Sequence, residues 1–212
     1  MVNNRNFKNL RKQMVETQLI SRGISDPKVL EAMAKVPREK FVPENKKSQA
    51  YYDGPIPIGS GQTISQPYIV AYMTELLELG GREKVLEIGT GSCYQTAILA
   101  EIAKEVYSVE IIEEFYSKAQ KLLKDYPNIN LANKNGYYGW EEHAPYNRII
   151  ATAAPKKIPQ PLIEQLSNGG IMVIPVGPTG FNQTLYKVTK KNNKIARKPI
   201  CGVAFVPLKK NF

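Results

Sequence analysis

The sequence predicts an α/β fold, in which helices cover both faces of a doubly wound, mostly parallel sheet and a helical region is added at the N-terminus. The main observation is a regular alternation of short apolar runs and amphipathic helical segments between residues 84 and 177. The chain has 212 residues, 42% of them hydrophobic and 23% charged, which suits one folded domain with a substantial core. From residue 184 onward the pattern is typical of antiparallel strands added at one edge of the sheet.

The N-terminal region is predicted to be helical. Met14 and Leu19 belong to an apolar stripe with helical spacing. Asp26 followed by Pro27 is typical of a helix N-cap and first turn, and the helix that it begins is expected to end before Pro37. These helices precede the alternating part of the chain.

A long segment between residues 43 and 67 is rich in Gly, Pro, Ser and Tyr, and it is too long for an ordinary connection. Segments of this length in compact domains are usually functional or disordered, and we expect an active-site loop here. A helix over 67–79 follows, ending at a Gly-Gly pair. We therefore divide the chain into an N-terminal helical region with this loop, 1–66, and a core with the C-terminal strands, 67–212, within a single structural domain.

The core alternates between predicted strands and helices. Strands are predicted at 84–88, 105–111, 129–134, 147–153 and 170–176. Helices are predicted up to about 103, over 112–124 and over 159–166. This βαβ order places a ligand crevice beyond the carboxyl ends of the parallel strands.

Composition disfavours several classes of protein. Cys93 and Cys201 are far apart and form no Cys-x-x-Cys pair, and His143 is the only histidine, so we expect no metal and no histidine-based hydrolase chemistry. The first residues lack the apolar core of a signal peptide, and no apolar run is long enough to cross a bilayer. We expect a cytoplasmic protein that does not enter the membrane.

The positive charge is concentrated near the C-terminus. The net charge is +10, and no acidic residue follows Glu164. The densest cluster consists of Lys187, Lys190, Lys191, Lys194, Arg197 and Lys198. It surrounds the turn-like pair Asn192-Asn193 and has no interleaved aromatic residues for stacking on bases. We interpret it as a solvated hairpin, and a patch for nucleic acid or another acidic partner is the alternative.

A glycine-rich turn lies between the first predicted core strand and the following helix. Gly89 and Gly91 allow the backbone to turn tightly and approach a ligand, and Glu110 ends the next strand, where its carboxylate can bind ribose hydroxyls. The dinucleotide fingerprint would need glycine where Tyr94 stands, and Glu87 would repel a pyrophosphate but suit a cationic methionine moiety. This favours S-adenosyl-L-methionine over NAD or FAD. A tight turn that binds nothing is the remaining alternative.

Several motifs outside this turn identify a family. The segment GQTISQP at 61–67 resembles the signature of the protein L-isoaspartate O-methyltransferases. Further agreement is found in VPREKFVP at 36–43, MTELLEL at 73–79, TAAP at 152–155, GGIMVIPVG at 169–177 and FVPL at 205–208. The resemblance covers nearly the whole chain, and these motifs are more specific than the glycine turn.

The resemblance implies a seven-stranded, Rossmann-like methyltransferase fold and an S-adenosyl-L-methionine-dependent enzyme. Such an enzyme transfers a methyl group to the α-carboxylate of L-isoaspartyl residues, which begins the repair of damaged proteins, and it releases S-adenosyl-L-homocysteine. The implied partners are isoaspartyl-containing proteins and peptides. We expect a monomer that binds neither nucleic acid nor membrane.

The resemblance also assigns site residues. Ser65 stands at the active-site serine position of the family, although a serine just before Pro67 is also typical of a helix N-cap. Cofactor contacts are expected from Gln62, Thr63, Glu87, Gly89, Thr90, Gly91, Glu110, Ile111, Asn135 and Gly136.

Two residues depart from the family pattern. Cys93 replaces a third glycine, and its side chain is expected to narrow the space at the start of the helix. Asn135 replaces an aspartate, and its acceptor oxygen can still receive a hydrogen bond from the adenine amino group, although without the charge. These departures leave a non-catalytic nucleoside-binding protein as one alternative, and the basic tail leaves an RNA methyltransferase as another.

Overall fold

The computed structural model describes residues 4–178 and 182–210, with side chains from residue 6 onward. Seven strands form one sheet in the order β5-β4-β3-β6-β7-β8-β9, parallel from β5 to β7 and antiparallel in the last two pairs. These strands are β3 (Lys84–Ile88), β4 (Glu105–Glu110), β5 (Ile129–Asn133), β6 (Tyr146–Ala151), β7 (Leu166–Val176), β8 (Gln183–Lys191) and β9 (Lys194–Val203). The predicted fold class is confirmed.

Besides short 3-10 and π-helical segments, the described residues contain six α-helices and a separate hairpin. The helices are α1 (Asn4–Met14), α2 (Pro27–Lys35), α3 (Pro67–Leu76), α4 (Tyr94–Ile102), α5 (Glu113–Leu122) and α6 (Gln160–Gln165). The hairpin consists of β1 (Ile56–Gly59) and β2 (Gln62–Ile64), which pair antiparallel. The hairpin lies within the segment that was predicted to be an irregular loop.

Two predicted boundaries differ from the structure by three residues or more. Helix α3 ends at Leu76, three residues early, because Glu78 adopts a left-handed conformation with φ 53° that stops the helix. Strand β7 begins at Leu166 instead of residue 170, because Leu166 already pairs with Tyr146 of β6 before the register shifts. The sequence pattern hid this start, since Gly169 and Gly170 interrupt the apolar run.

The N-terminal helices pack directly on the core. Asp26 caps α2 as predicted, and its side chain accepts hydrogen bonds from the backbone N–H groups of Lys28 and Val29. Met33 of α2 and Ile98 of α4 are fully buried within the same apolar cluster. Burial of one continuous apolar cluster stabilises both segments together. The boundary at residue 66 stays a prediction, because both segments share this cluster.

The C-terminal hairpin of β8 and β9 forms one edge of the sheet, and most of β9 is exposed. Lys187 forms an ion pair with Glu78. Lys190 donates hydrogen bonds to the carbonyl oxygens of Ile163 at 3.0 Å and Leu166 at 2.7 Å. Two of the six clustered cations are therefore engaged by the protein itself.

Within the described residues, no helix combines the length and apolarity that a membrane crossing needs. The same part of the chain contains no group of His, Cys, Asp and Glu side chains arranged to hold a metal ion.

Candidate functional site

A cleft lies at the carboxyl ends of β3 and β4, where the doubly wound topology predicts a ligand site. Its floor is the glycine turn between β3 and α4, and one wall is formed by the end of β4. The β1–β2 hairpin and residues 205–209 close the other sides. Of the predicted site residues, the cleft brings together Gln62, Thr63, Ser65, Gly89, Thr90, Gly91, Glu110, Ile111, Asn135 and Gly136.

The glycine turn is shaped by close backbone contacts. Gly89 has φ 95°, and a Cβ atom there would lie 2.6 Å from Oγ1 of Thr152. That hydroxyl donates a hydrogen bond to the Gly89 carbonyl at 2.7 Å, and the Gly89 N–H donates to the Val109 carbonyl at 2.9 Å. The turn is therefore fixed by its neighbours, and its backbone faces the cleft without a side chain.

Cys93 occupies the N-cap position of α4 in a left-handed conformation, with φ 72°. This explains why a glycine suits the position, since a Cβ atom strains a left-handed backbone. The sequence predicted that the Cys93 side chain would narrow the space at the start of the helix. In the structure, the effect of this residue is instead a strained backbone conformation at Cys93 itself. Burial raises the pKa of the Cys93 thiol to about 12, so the sulfur stays protonated at neutral pH.

Glu110 ties the glycine turn to the end of β4. One carboxylate oxygen accepts the Gly91 N–H at 2.8 Å, and the other accepts the N–H groups of Ile111 and Ile112, each at 2.9 Å. The residue is 5% exposed and lines the cleft. Each carboxylate oxygen can accept two hydrogen bonds, so the Oε2 atom keeps an acceptor site for a ligand hydroxyl.

Glu87 does not line the cleft, which corrects its assignment as a direct cofactor contact. It is fully buried, and its Oε2 atom accepts hydrogen bonds from the hydroxyls of Thr96 and Ser108, both at 2.6 Å. The Ser108 hydroxyl also lies 2.6 Å from the Thr90 hydroxyl in the glycine turn. Burial raises the pKa of Glu87 to about 8, so the carboxyl is neutral at neutral pH. It contacts the glycine turn through the hydroxyls of Ser108 and Thr90.

Asn135 and Gly136 form the far end of the cleft, after β5. The Asn135 side chain accepts the Tyr137 N–H at 3.0 Å and donates to the Lys210 carbonyl at 2.9 Å. Its oxygen keeps one acceptor site, as the predicted contact with adenine requires. A Cβ atom at Gly136 would lie 2.5 Å from Cγ2 of Ile88, so only glycine fits there.

Ser65 follows β2 and lines the cleft. The interpretation of Ser65 as a helix N-cap is wrong, because Gln66 occupies that position and no side chain caps α3. Among the described residues, the Ser65 hydroxyl has no hydrogen-bond partner, whereas its carbonyl accepts a hydrogen bond from Arg38 at 2.7 Å. The hydroxyl is therefore available to a ligand.

Two parts of the site were not assigned from the sequence. The first is Arg38, which donates a hydrogen bond to the Ser65 carbonyl. Its motif at 36–43 indicated the family but did not indicate this contact. Residues 205–209 cross the cleft because the Ala154 N–H donates to the Val206 carbonyl at 2.8 Å, and the Leu208 N–H donates to the Ala154 carbonyl at 2.9 Å. Both motifs, TAAP and FVPL, were visible in the sequence, but their pairing was not.

Comparison with known sequences gives consistent results. The family model described as Protein-L-isoaspartate(D-aspartate) O-methyltransferase matches residues 9–212. A protein-L-isoaspartate O-methyltransferase of Dictyoglomus turgidum is 56% identical over 205 residues, which cover 96% of this chain and 92% of the relative. A protein-L-isoaspartate O-methyltransferase of Geobacter metallireducens is 53% identical over 206 residues, which cover 96% of this chain and 95% of the relative.

Solved structures agree with the sequence matches. One structure named protein-L-isoaspartate O-methyltransferase has a TM-score of 0.85 and 25% identity, and the match covers 95% of this chain and 66% of that one. A second, a beta-aspartate methyltransferase from Plasmodium falciparum in complex with S-adenosyl-L-homocysteine, has a TM-score of 0.81 and 27% identity. That match covers 97% of this chain and 99% of the other. This chain therefore belongs to the protein-L-isoaspartate (D-aspartate) O-methyltransferase family.

Proposed function

We propose that this enzyme transfers the methyl group of S-adenosyl-L-methionine to the α-carboxylate of L-isoaspartyl residues in damaged proteins and peptides. The observation that carries the proposal is one cleft shared by the glycine turn of a methyltransferase and the free hydroxyl of Ser65. Family membership over nearly the whole chain supports the same substrate class.

The residues of the cleft fit S-adenosyl-L-methionine. The backbone at Gly89 and Gly136 is closely approached by neighbouring groups, so the cleft floor has no side chain that would block a nucleoside. We assign Glu110 to the ribose hydroxyls and Asn135 to the adenine amino group. The remaining proposed contacts are Gln62, Thr63, Thr90, Gly91 and Ile111.

When bound, the cofactor supplies an electrophilic methyl group. A carboxylate is already ionised at neutral pH, so the chain needs no general base to activate it. Its task is to hold one carboxylate oxygen in line with the methyl carbon, and such positioning is worth up to about 7–11 kcal/mol. We assign the Ser65 hydroxyl to this task, as a donor to the substrate carboxylate. The resulting ester is expected to cyclise to a succinimide that reopens in part to normal aspartate.

Replacement of Ser65 tests this assignment. Ser65→Ala should lower kcat on an isoaspartyl peptide by about tenfold or more, since a hydrogen bond to a charged group is lost, while the Kd for S-adenosyl-L-homocysteine should stay unchanged. Ser48→Ala is the control, because Ser48 is an exposed serine that precedes the hairpin and does not line the cleft. Equal loss of turnover and cofactor affinity in Ser65→Ala would show that the serine only holds the hairpin.

We further propose a cytoplasmic monomer that acts on polypeptides and not on nucleic acid. Two free cysteines suit a reducing compartment. The exposed edge strand β9 contains Arg197, Lys198 and Pro199, which oppose pairing with another strand. A molar mass near 23.8 kDa in light scattering would support the monomer, and twice that mass would contradict it.

A further inference from the structure

Arg38 lies beneath the active-site hairpin and is completely buried, with 0% exposure. Its Nε atom donates a hydrogen bond to the Ala50 carbonyl, and its Nη2 atom donates to the Ser65 carbonyl, both at 2.7 Å. The guanidinium also lies over the ring of Tyr94, 4.8 Å from its centroid. A rigid planar group thus links the Ser65 carbonyl to the Ala50 carbonyl through one guanidinium.

The charge of Arg38 has no carboxylate partner in the described part of the chain. Its Nη1 atom is buried without an acceptor there. The neighbouring carboxylate of Glu39 is held by the Tyr51 hydroxyl at 2.5 Å and makes no ion pair with Arg38. Burial lowers the pKa of Arg38 to about 10, which still leaves the guanidinium charged at neutral pH.

An uncompensated buried charge is costly to a fold, and natural proteins usually pair it. Here the guanidinium binds the carbonyl of the same residue, Ser65, whose free hydroxyl lines the cleft. A carboxylate bound at that hydroxyl would lie roughly 8 Å from the guanidinium, which is one residue and two hydrogen bonds away. At that distance, inside the protein, the attraction favours an anion by roughly ten- to thirtyfold.

We propose that Arg38 is a positioning residue of the substrate site, which fixes Ser65 through its carbonyl and makes the site selective for an anionic group. This inference rests on the proposed function, because it takes the substrate carboxylate to bind at Ser65. The Arg38 side chain does not touch the substrate. It acts through the Ser65 backbone and through its charge.

The test compares two peptides that differ in one group, an isoaspartyl peptide and its α-carboxamide analogue. Their Kd values are measured on the enzyme saturated with S-adenosyl-L-homocysteine, so no turnover occurs. Arg38→Met should reduce the preference for the carboxylate by about tenfold or more, with the Kd for S-adenosyl-L-homocysteine unchanged. An unchanged preference in folded Arg38→Met would overturn the charge role.

Arg148→Met is the matched control. Arg148 also donates to backbone carbonyls, those of Leu77, Glu78 and Asn147, but it does not line the cleft. Its replacement should leave the carboxylate preference unchanged, even where stability falls. A similar loss of preference in both variants would attribute the effect to general destabilisation and contradict the proposal.

Arg38→Lys covers the case in which Arg38→Met does not fold. Lysine keeps the charge but cannot donate to both carbonyls in the fork geometry of arginine. The variant should keep most of the carboxylate preference and lose at least about tenfold in kcat. Wild-type kcat in Arg38→Lys would overturn the positioning role. Failure of the wild-type enzyme to methylate the isoaspartyl peptide would instead refute the proposed function itself.

Discussion

Cys93 shows how one residue can depart from a family pattern and still fit the fold. Its φ of 72° belongs to the left-handed region, where any Cβ atom costs about 1–2 kcal/mol. The sequence identified the departure but attributed it to crowding, because a backbone angle is not visible in a list of residue types.

This strain predicts the relative stability of two variants. Cys93→Gly should be more stable than Cys93→Ala by about 0.5–1 kcal/mol, which is the reverse of the usual order of these two residues. Both variants lose the sulfur, so the comparison isolates the Cβ atom. Urea unfolding of the pair provides the measurement. A more stable alanine variant would show that the left-handed backbone is not strained.

The proposed role of Glu110 predicts how its replacement changes cofactor binding. Glu110→Gln should weaken S-adenosyl-L-homocysteine binding by about tenfold or more, because ribose hydroxyls lose a charged acceptor and the contact to Gly91 weakens. Glu105→Gln, at the opposite end of the same strand, is the control. Calorimetry measures both, and an unchanged Kd for Glu110→Gln would contradict the ribose assignment.

The direction in which the Glu87 side chain points could not be predicted from the sequence. The acidic position of Glu87 before the glycine turn suggested contact with the cofactor, yet the side chain turns into the core toward Thr96 and Ser108. Its hydroxyl partners lie on another strand and on a helix. No local pattern reports such contacts.

At the scale of elements, the strands of the core were predicted well because each is a short, buried apolar run between turn residues. Strand β3 at Lys84–Ile88 agrees with its prediction at both ends. The β1–β2 hairpin was missed, because its strands have only four and three residues and the first of them contains Pro57 and Gly59. Short strands carry too little alternation to be recognised.

The basic hairpin yields a prediction about an element. Lys190 donates to carbonyls at the carboxyl end of α6, whereas its neighbour Lys191 is exposed. Lys190→Ala should therefore lower the free energy of unfolding by about 1–2 kcal/mol, and Lys191→Ala should change it by less than about 0.5 kcal/mol. Thermal unfolding compares the two. Equal effects would mean that Lys190 is only a solvated charge.

At the scale of the whole molecule, the buried carboxyl of Glu87 predicts how stability depends on pH. Burial raises its pKa to about 8, against the lowering effect of two hydroxyl hydrogen bonds. The folded state therefore holds a proton that the unfolded chain releases from about pH 4.5, and its contribution to stability is lost as pH rises through about 8.

Glu87→Gln removes this titration. The difference in unfolding free energy between wild type and Glu87→Gln should move in favour of the variant between pH 5 and pH 8, by at most about 1.4 kcal/mol per pH unit. Exposed Glu31→Gln should give a constant offset over the same interval. A constant offset for Glu87→Gln as well would show that Glu87 is ionised in the folded protein.

The assembled site depends on contacts between distant parts of the chain. The motif that contains Arg38 and the motif that contains Ser65 were both recognised, but only folding shows that they are hydrogen-bonded. The pairing of Ala154 with residues near Pro207 is a second case. Ten of the eleven predicted site residues line the cleft, but the contacts that hold these residues in place could only be seen in the structure.

The most direct measurement uses S-adenosyl-L-methionine labelled on the methyl group and two peptides that differ only in isoaspartate or ordinary aspartate at one position. We expect base-labile label on the isoaspartyl peptide alone, because an ester forms only where the α-carboxylate of isoaspartate binds in the cleft. Label on both peptides, or on neither while S-adenosyl-L-homocysteine still binds, would contradict it.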